Sequence, residues 1–340
     1  MRRSDRPPST LVPVGGELMD GFGRVHRDLR ISVTDRCNFR CRYCMPAEGL
    51  EWLPRDGLLS FEEISRVASL VVERFGIRSI RLTGGEPTVR AKLPDLVRLL
   101  SPLPVDLALT TNGATLRLLA AELAEAGLGR INVSLDSLRR DRFEELTLRD
   151  GLARVLDGIE AALAAGLSPV KVNVVVMRGV NDDELVDFAR FGRELGVTVR
   201  FIEFMPLDAE EAWSEAAVVS QEEILATIGA VYPLEPPARS NAPATRFRYM
   251  DGGGEIGVVA SVTQSFCDSC DRIRLTADGQ FRNCLFATEE FDLRGLLRSG
   301  ASDDEVADLV ERAVAAKWAG HGIGRVDFIR PARSMSQIGG

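Results

Sequence analysis

Residues 29–44 read LRISVTDRCNFRCRYC, a short apolar run followed at once by three closely spaced cysteines. The apolar run predicts a buried strand over 29–34. The cysteines are Cys37, Cys41 and Cys44, in the spacing C-x3-C-x2-C. Three thiolates this close can hold a cubane iron–sulfur cluster, which normally takes four cysteines, so one iron keeps an open position for a small molecule. The stretch therefore predicts a strand that leads into a reactive metal centre.

The other three cysteines of the chain form a second cysteine set, Cys267, Cys270 and Cys284, spaced C-x2-C-x13-C. Neither this set nor the first cysteine set has a fourth cysteine nearby. The pattern therefore favours two clusters, each with one open iron. A zinc site is the alternative for the second set, with His321 as a distant fourth ligand. Disulfides are a weaker alternative, because nothing in the sequence suggests export.

Length and composition limit the classes of protein that the chain can belong to. Its 340 residues are 45% hydrophobic, which suits one barrel-sized domain with a smaller appendage. No apolar run approaches the ~20 residues that a membrane-spanning helix needs. The net charge of −8 gives the surface no general attraction for nucleic acid. Six cysteines without an export signal favour a reducing cytoplasm, so we expect a cytoplasmic protein with neither a membrane nor a nucleic acid as partner.

Strand-like and helical patterns alternate from residue 28 to about residue 205. Five βα repeats and a sixth strand imply a parallel sheet with right-handed crossovers. Six strands are too few for a complete eight-stranded barrel. We therefore predict an α/β fold, a partial (βα)6 TIM-like barrel with a C-terminal region covering the open side. The predicted strands are 29–34, 78–83, 105–111, 130–135, 169–176 and 198–204. The predicted helices are 60–75, 91–101, 115–126, 151–165, 182–195, 220–229 and one near 302–319.

Composition divides the chain into three predicted parts. Residues 1–24 are rich in Pro, Gly and charge, so we expect a flexible N-terminal extension. Residues 25–230 would form the partial barrel. Residues 231–340 would form a C-terminal domain with the second cysteine set and a Gly-Gly tail.

Polar and glycine-rich segments follow the predicted strands, where α/β barrels gather their reactive groups. The second strand ends in TGGEP (83–87), whose glycines would leave backbone groups open to a ligand; a tight turn is the alternative. Lys171 lies in an otherwise apolar strand, and a buried lysine is costly unless it meets an anion. A solvated strand end is the alternative for Lys171. Lysine is scarce in this chain, since only Lys92 and Lys317 occur besides it.

These motifs together resemble the radical S-adenosylmethionine superfamily and, within it, the GTP 3′,8-cyclases of molybdenum cofactor biosynthesis. The motifs that carry the resemblance are SVTDRCNFRCRYCMP, RLTGGEP, TTNG, INVSLDS and CDSCDRIRLTADGQFRNCLF. The resemblance implies a lyase that cyclises GTP to (8S)-3′,8-cyclo-7,8-dihydroguanosine 5′-triphosphate. It also implies two [4Fe-4S] clusters and S-adenosyl-L-methionine as cofactors. The first cluster would cleave S-adenosylmethionine, and the second would bind the guanine of GTP.

The resemblance also implies roles for individual residues. The six cysteines would be the metal ligands. The residues implied to hold S-adenosylmethionine are Tyr43, Gly85, Ser134 and Met205. Those implied to bind GTP are Arg30, Arg81, Thr110, Lys171, Arg272, Ile273 and Arg274, with Arg272 and Arg274 also as catalytic candidates. A triphosphate does prefer bidentate arginines and lysines, although exposed arginines at a sheet edge are the alternative.

The implied partners are GTP, S-adenosylmethionine, an electron donor and a downstream cyclic pyranopterin monophosphate synthase, with a homodimer as a further candidate. Two other functions stay open at this point. One is a radical enzyme that matures peptides with an auxiliary cluster, which the count of six cysteines and the Arg272/Arg274 pair disfavour. The other is a non-catalytic iron–sulfur protein, which would leave TGGEP and the two open irons unexplained.

Overall fold

The fold is taken from a computed structural model of the chain. It describes residues 16–46, 49–207, 213–237, 243–326 and 328–339. Most of the predicted N-terminal extension and the last glycine of the predicted tail, Gly340, lie outside the described residues.

One eleven-stranded sheet runs through the described part of the chain. Six parallel strands stand side by side in chain order at its centre. They are β1 (Asp28–Ser32), β2 (Ser79–Thr83), β3 (Asp106–Thr111), β4 (Arg130–Ser134), β5 (Val170–Val176) and β6 (Thr198–Glu203). Each predicted strand is present with a shift of at most two residues at either end. The predicted partial (βα)6 barrel is confirmed.

Helices connect successive strands and bury one apolar face against the sheet. They are α1 (Phe61–Phe75), α2 (Leu93–Leu100), α3 (Ala120–Glu125), α4 (Arg140–Thr147), α5 (Leu152–Ala164) and α6 (Leu185–Leu195). In α1, a capping box between Ser60 and Glu63 starts the helix, and Gly76 ends it in the left-handed conformation with φ 65°. No helix among the described residues is long and apolar enough to cross a bilayer.

The C-terminal region extends the sheet at both edges and so covers the open side of the barrel. On one edge β9 (Arg272–Leu275) pairs in parallel with β1, followed by antiparallel β10 (Gln280–Arg282) and β11 (Phe291–Asp292). On the other edge β8 (Glu255–Val259) pairs in parallel with β6 and antiparallel with β7 (Thr245–Arg248). The remaining helices are α7 (Gln221–Gly229), α8 (Leu293–Arg298), α9 (Asp303–Ala315) and α10 (Met335–Ile338). The domain boundary near residue 230 stays a prediction.

The described end of the predicted N-terminal extension packs against the rest of the fold, while the flexibility of residues 1–24 stays a prediction. Met19 and Val25 form an antiparallel bridge, and Leu18 and Asp20 are both only 1% exposed. The Asp20 carboxylate accepts the Arg24 Nε–H at 2.6 Å, within a tight turn. Two charges of this segment, on Asp20 and Arg24, are thus paired and buried.

Along each strand, successive side chains point to opposite faces of the sheet: one face packs against the helices, and the other faces the barrel interior. Leu29 and Ile31 of β1 are fully buried in the hydrophobic core that the helices cover. Arg30 lies between them on the opposite face, in register with Arg81 of β2 and Arg274 of β9. The sheet therefore directs a row of arginines into the interior.

Candidate active site

The loop that carries the first cysteine set follows β1 directly and is held by the end of α4. The amide of Arg40 donates to the Thr147 carbonyl at 2.9 Å. Phe39 packs edge-to-face on Phe143 with ring centroids 5.7 Å apart. These contacts fix the path of the loop between Cys37 and Cys44.

The backbone of TGGEP holds the cysteine loop through Gly85 and Glu86, while the role of its glycines toward S-adenosylmethionine stays a prediction. The amide of Gly85 donates to the Thr34 carbonyl and that of Glu86 to the Arg36 carbonyl, each at 2.7 Å. A Cβ on Gly85 would lie 2.4 Å from the Arg36 oxygen, so this contact requires glycine. The Glu86 carboxylate is buried and accepts the Thr111 hydroxyl of β3 at 2.6 Å.

Burial determines the chemistry of the first cysteine set. It raises the pKa of Cys37 to about 11, that of Cys44 to about 12, and that of Cys41 well above its usual value. N–H groups nevertheless point at the sulfurs, since the Phe39 amide donates to Cys37 Sγ at 3.4 Å and Asn112 Nδ2 at 3.8 Å. Such contacts would stabilise the thiolates that bind iron once their protons have been released to solvent. The site fits an iron–sulfur cluster.

The residues implied to hold S-adenosylmethionine lie at the same edge of the sheet. Tyr43 donates its hydroxyl to Asp136 Oδ2 at 2.6 Å, just beyond β4. Burial raises the pKa of Asp136 to about 6. Ser134 ends β4 and Met205 follows β6, while Gly85 follows β2. Because the carboxyl ends of parallel strands share one edge, the fold brings all four residues to the mouth of the barrel.

Five cationic side chains from different strands point into the barrel and form what we call the interior cation cluster. They are Arg30, Arg81, Lys171, Arg200 and Arg274. Burial, followed by repulsion from neighbouring cations, lowers the pKa of Arg30 to about 9, that of Arg200 to about 10 and that of Lys171 to about 8. Burial also lowers the pKa of Arg81 to about 10 and that of Arg274 well below its usual value.

Among the described residues, the interior cation cluster has one ion pair within 4 Å, between Arg30 and Asp28. Arg30 Nε lies 3.9 Å from Asp28 Oδ1, which is too far for a hydrogen bond. The buried Nε atoms of Arg30, Arg81 and Arg200 have no hydrogen-bond partner within the described ranges. Buried cations of this kind are costly unless an anion meets them. The interior therefore fits a polyanionic ligand.

Two further residues implied to bind GTP have different surroundings. Thr110 of β3 accepts Asn132 Nδ2 at 3.3 Å and lies beside the cation cluster. The side chain of Ile273 is fully buried in the hydrophobic core, on the face of β9 opposite Arg272 and Arg274. The Ile273 side chain is therefore not placed to contact a ligand inside the barrel.

Arg200 belongs to the interior cation cluster but was missed by the sequence reasoning. It lies between the buried residues Val199 and Phe201, just as Lys171 lies between Val170 and Val172. The same alternation that singled out Lys171 could therefore have found Arg200.

The second cysteine set lies beside β9 and β10, on the edge of the sheet that continues from β1. Cys267 begins a short 3-10 turn that leads to Cys270, and Cys284 follows β10. Burial raises the pKa of Cys270, but the charges of Arg272 and Lys317 outweigh it and lower that pKa to about 6. The second set thus includes a sulfur in a strongly cationic environment.

The zinc alternative finds little support in this geometry. In the described parts of the chain, no group of three or more His, Cys, Asp and Glu side chains is placed to hold a single metal ion. The proposed fourth zinc ligand, His321, uses Nδ1 to accept the Ile323 amide at 3.1 Å, and its ring packs against Phe286. Because the Nδ1 lone pair of His321 is already engaged, this nitrogen is disfavoured as a zinc ligand.

The C-terminal tail enters the barrel. Ser336 and Ile338 of α10 are each only 1% exposed, and the Gly339 carbonyl accepts a hydrogen bond from the Arg274 guanidinium. The Ser336 amide donates to the sulfur of Cys44. The tail therefore contacts both the first cysteine set and the interior cation cluster.

Comparisons with known proteins agree with this geometry. A family model described as Radical SAM superfamily matches residues 31–192, and one described as Molybdenum Cofactor Synthesis C matches residues 197–323. The chain is 48% identical to GTP 3′,8-cyclase of Rhodopirellula baltica, over 99% of this chain and 96% of that protein. It is 50% identical to GTP 3′,8-cyclase 2 of Mycobacterium tuberculosis, over 97% of this chain and 94% of that protein.

Among solved structures, Streptococcus suis SuiB bound to S-adenosylmethionine is similar with a TM-score of 0.56 and 12% identity, over 84% of this chain and 68% of that one. This likeness concerns the fold alone. The fold, the cysteine loop and the matched models define a radical SAM enzyme, whose cofactors are S-adenosyl-L-methionine and [4Fe-4S] clusters. At this level of identity over nearly its whole length, the chain belongs to the GTP 3′,8-cyclase family.

Proposed function

We propose that this chain cyclises GTP to (8S)-3′,8-cyclo-7,8-dihydroguanosine 5′-triphosphate, the first step of molybdenum cofactor biosynthesis. The name of its relatives supplies the reaction. The structural observation that carries the proposal is the interior cation cluster. Five buried or half-buried cations with lowered pKa values, which have one ion pair within 4 Å (Arg30–Asp28) among the described residues, suit a triphosphate, whereas a peptide would leave most of them unpaired.

The first cysteine set would hold the cluster that binds S-adenosylmethionine. Its three thiols lie on a loop that TGGEP and α4 fix from two sides, and they leave one iron free for the cofactor. When bound, the reduced cluster and S-adenosylmethionine supply the 5′-deoxyadenosyl radical that takes the 3′ hydrogen of the ribose. Tyr43, Gly85, Ser134 and Met205 would surround the cofactor and keep water from this edge of the barrel.

The interior cation cluster would hold the triphosphate of GTP. Arginines offer planar pairs of N–H donors to phosphate oxygens, and Lys171 adds a point charge. Arg200 joins the family-implied Arg30 and Arg81 in this role. Because each cation extends from a rigid strand, phosphate binding would orient the ribose toward the first cluster.

The second cysteine set would hold the second cluster, whose open iron would take the guanine base. Arg272 and Arg274 share one face of β9, where Arg272 lies beside Cys270 and Arg274 belongs to the interior cation cluster. They would stabilise negative charge that develops near the substrate. The Gly339 carbonyl on Arg274 would orient that guanidinium.

The partners follow from the chemistry. Reductive cleavage of S-adenosylmethionine consumes an electron, so an external one-electron donor is required. The cyclic product would pass to a cyclic pyranopterin monophosphate synthase, and a second copy of the chain would complete a homodimer, which light scattering after size exclusion tests. Two clusters held by six cysteine thiolates would require a reducing compartment, which supports the cytoplasm.

The decisive experiment is anaerobic turnover of the reconstituted enzyme with S-adenosylmethionine, dithionite and either GTP or a peptide mixture. GTP deuterated at C3′ should yield deuterated 5′-deoxyadenosine and a cyclised nucleotide, both seen by mass spectrometry. A product from peptide and none from GTP would establish the peptide-maturing alternative instead. No cleavage with either substrate would indicate a non-catalytic iron–sulfur protein.

A further inference from the structure

Lys317 is a buried lysine that the proposed cyclisation leaves without a role. It follows α9 and is only 2% exposed. The other two lysines differ from it, since Lys92 is exposed and Lys171 belongs to the interior cation cluster. A buried ammonium is costly unless its charge and each of its N–H groups find partners. We therefore expect the residues around Lys317 to supply such partners.

Each N–H group of Lys317 has an acceptor. Nζ donates to the Arg272 carbonyl at 2.7 Å, to His26 Nε2 at 2.8 Å and to Cys270 Sγ at 3.7 Å. An ammonium has three N–H groups and no lone pair, so these contacts saturate it. His26 Nε2 therefore carries no proton, and its Nδ1–H points to the Leu18 carbonyl at 3.4 Å.

The groups that orient Lys317 are themselves fixed. His26 is fully buried, and its amide donates to the Leu18 carbonyl at 2.8 Å. Nearby, Arg24 donates to the Cys267 carbonyl at 2.8 Å while its Nε–H is held by Asp20. The N-terminal turn, residues 18–26, thus holds the start of the cysteine turn, residues 267–270, through Arg24 and Cys267. It also contacts the end of the cysteine turn indirectly, because His26 binds Lys317 and Lys317 binds Cys270.

Lys317 and Arg272 both direct positive charge at one sulfur. The Arg272 side chain also hydrogen-bonds to the sulfur of Cys270. A cation held against a cluster sulfur stabilises the electron that the cluster gains on reduction, so it raises the reduction potential. All three N–H groups of Lys317 already have acceptors within the protein, so Lys317 is not free to bind substrate.

We propose that Lys317 is a positioning residue of the second cluster: its ammonium, oriented by His26 and the Arg272 carbonyl, holds Cys270 as a ligand and raises the reduction potential of that cluster. The inference rests on the proposed function, because it takes the second cysteine set as cluster ligands. It assigns the buried N-terminal turn a part in building the metal site.

The test is a redox titration of the full-length, two-cluster enzyme, followed by electron paramagnetic resonance. Lys317→Met removes the charge and the donors but keeps the side-chain length. We expect at least a tenfold fall in the equilibrium constant for reducing the second cluster, which is about 59 mV for one electron. The first cluster should not shift. Lys92→Met, the same change at an exposed lysine, should shift neither cluster.

A full-length background with Cys37, Cys41 and Cys44 changed to alanine assigns the signals, because it can hold the second cluster alone. If Lys317→Met does not fold, Lys317→Gln keeps N–H donors, loses the charge and should give the same shift. An unchanged potential in a folded variant, or equal shifts of both clusters, would overturn the role of Lys317. Absence of iron from the background itself would instead refute the metal assignment of the second cysteine set, and this inference with it.

Discussion

The two cysteine sets lie in opposite electrostatic surroundings. Beside the first set, burial and the nearby carboxylates Glu86 and Asp136 keep the thiol pKa values high. Beside the second set, Arg272 and Lys317 outweigh burial and lower the pKa of Cys270 to about 6. The interior cation cluster continues this positive environment across the sheet from β9.

The difference shows how the barrel can sort its two proposed ligands by charge. S-adenosylmethionine carries a sulfonium and an ammonium against one carboxylate, so it suits the side with buried carboxylates. GTP carries a triphosphate, so it suits the cationic side. Like charges placed opposite each other would oppose the reverse arrangement. Changes on one side should therefore affect one ligand and spare the other.

Cys284→Ser should have the largest effect. It removes one thiolate from the second cysteine set, so about half of the iron should be lost if each set holds one of two equal clusters. Cleavage of S-adenosylmethionine should survive, because the first set is intact, while GTP cyclisation should disappear. Iron and sulfide analysis per chain, together with an assay for 5′-deoxyadenosine, checks both parts.

Cys41→Ser is the matched control, because it removes one thiolate from the first cysteine set. It should lose a similar share of iron and also abolish cleavage of S-adenosylmethionine. Unchanged iron in Cys284→Ser would remove the second cluster from the proposal.

Lys171→Ala should weaken GTP binding next most strongly. A hydrogen bond to a charged group contributes about 1.5–3 kcal/mol, so the Kd for GTP should rise about ten- to hundredfold. The Kd for S-adenosylmethionine should stay the same. Isothermal titration under anaerobic conditions measures both, with Lys92→Ala as the control at an exposed lysine. Equal weakening of both ligands would assign Lys171 to folding.

The pH dependence of GTP binding should be a smaller effect with a definite sign. Burial, then Arg200 and Arg130, lowers the pKa of Lys171 to about 8 in the free protein. The free protein therefore loses this charge as the pH rises through about 8, and GTP affinity should fall between pH 7 and pH 9. Lys171→Arg should show a flatter profile, because arginine titrates at higher pH. An identical profile in both proteins would contradict the assignment.

Tyr43→Phe should have the smallest effect, and it should change the binding of S-adenosylmethionine beside the first cysteine set without changing GTP binding. It removes the hydrogen bond from the Tyr43 hydroxyl to Asp136. A hydrogen bond to a charged carboxylate contributes about 1.5–3 kcal/mol to the free energy of unfolding, while the KM for S-adenosylmethionine should rise by a few-fold at most. Denaturant unfolding and steady-state cleavage assays measure these changes. A change in the Kd for GTP would contradict the claim that changes beside the first cysteine set leave the second ligand unaffected.

Much of the fold could be predicted from the sequence because apolar periodicity is strong where strands and helices bury one face. The strand predicted over 169–176 is observed as Val170–Val176, and the helix over 151–165 as Leu152–Ala164. The missed elements lack that signal. α4 buries only Phe143, Leu146 and Thr147, and β9 reads RIRL, in which two of four residues are arginines that face the interior.

The site was predictable where a short motif carries the chemistry, as in the two cysteine spacings. It was not predictable where tertiary packing alone brings residues together. Lys317 and Cys270 are 47 residues apart, and no local pattern links them. The role of the Gly85 amide in holding Thr34 likewise depends on two loops meeting. Such contacts depend on the whole fold, and no periodic pattern in the sequence indicates them.

The pairing of β1 with both β2 and β9 has a consequence for how the chain matures. One edge of β1 stays uncovered until the last quarter of the chain has left the ribosome. A nascent chain therefore presents an open strand edge next to unligated thiols, and such edges pair readily with other chains. Pairing between such distant segments is also slow. In the cell, iron delivery to the second cysteine set therefore has to wait until the segment from Cys267 to Cys284 has been synthesised.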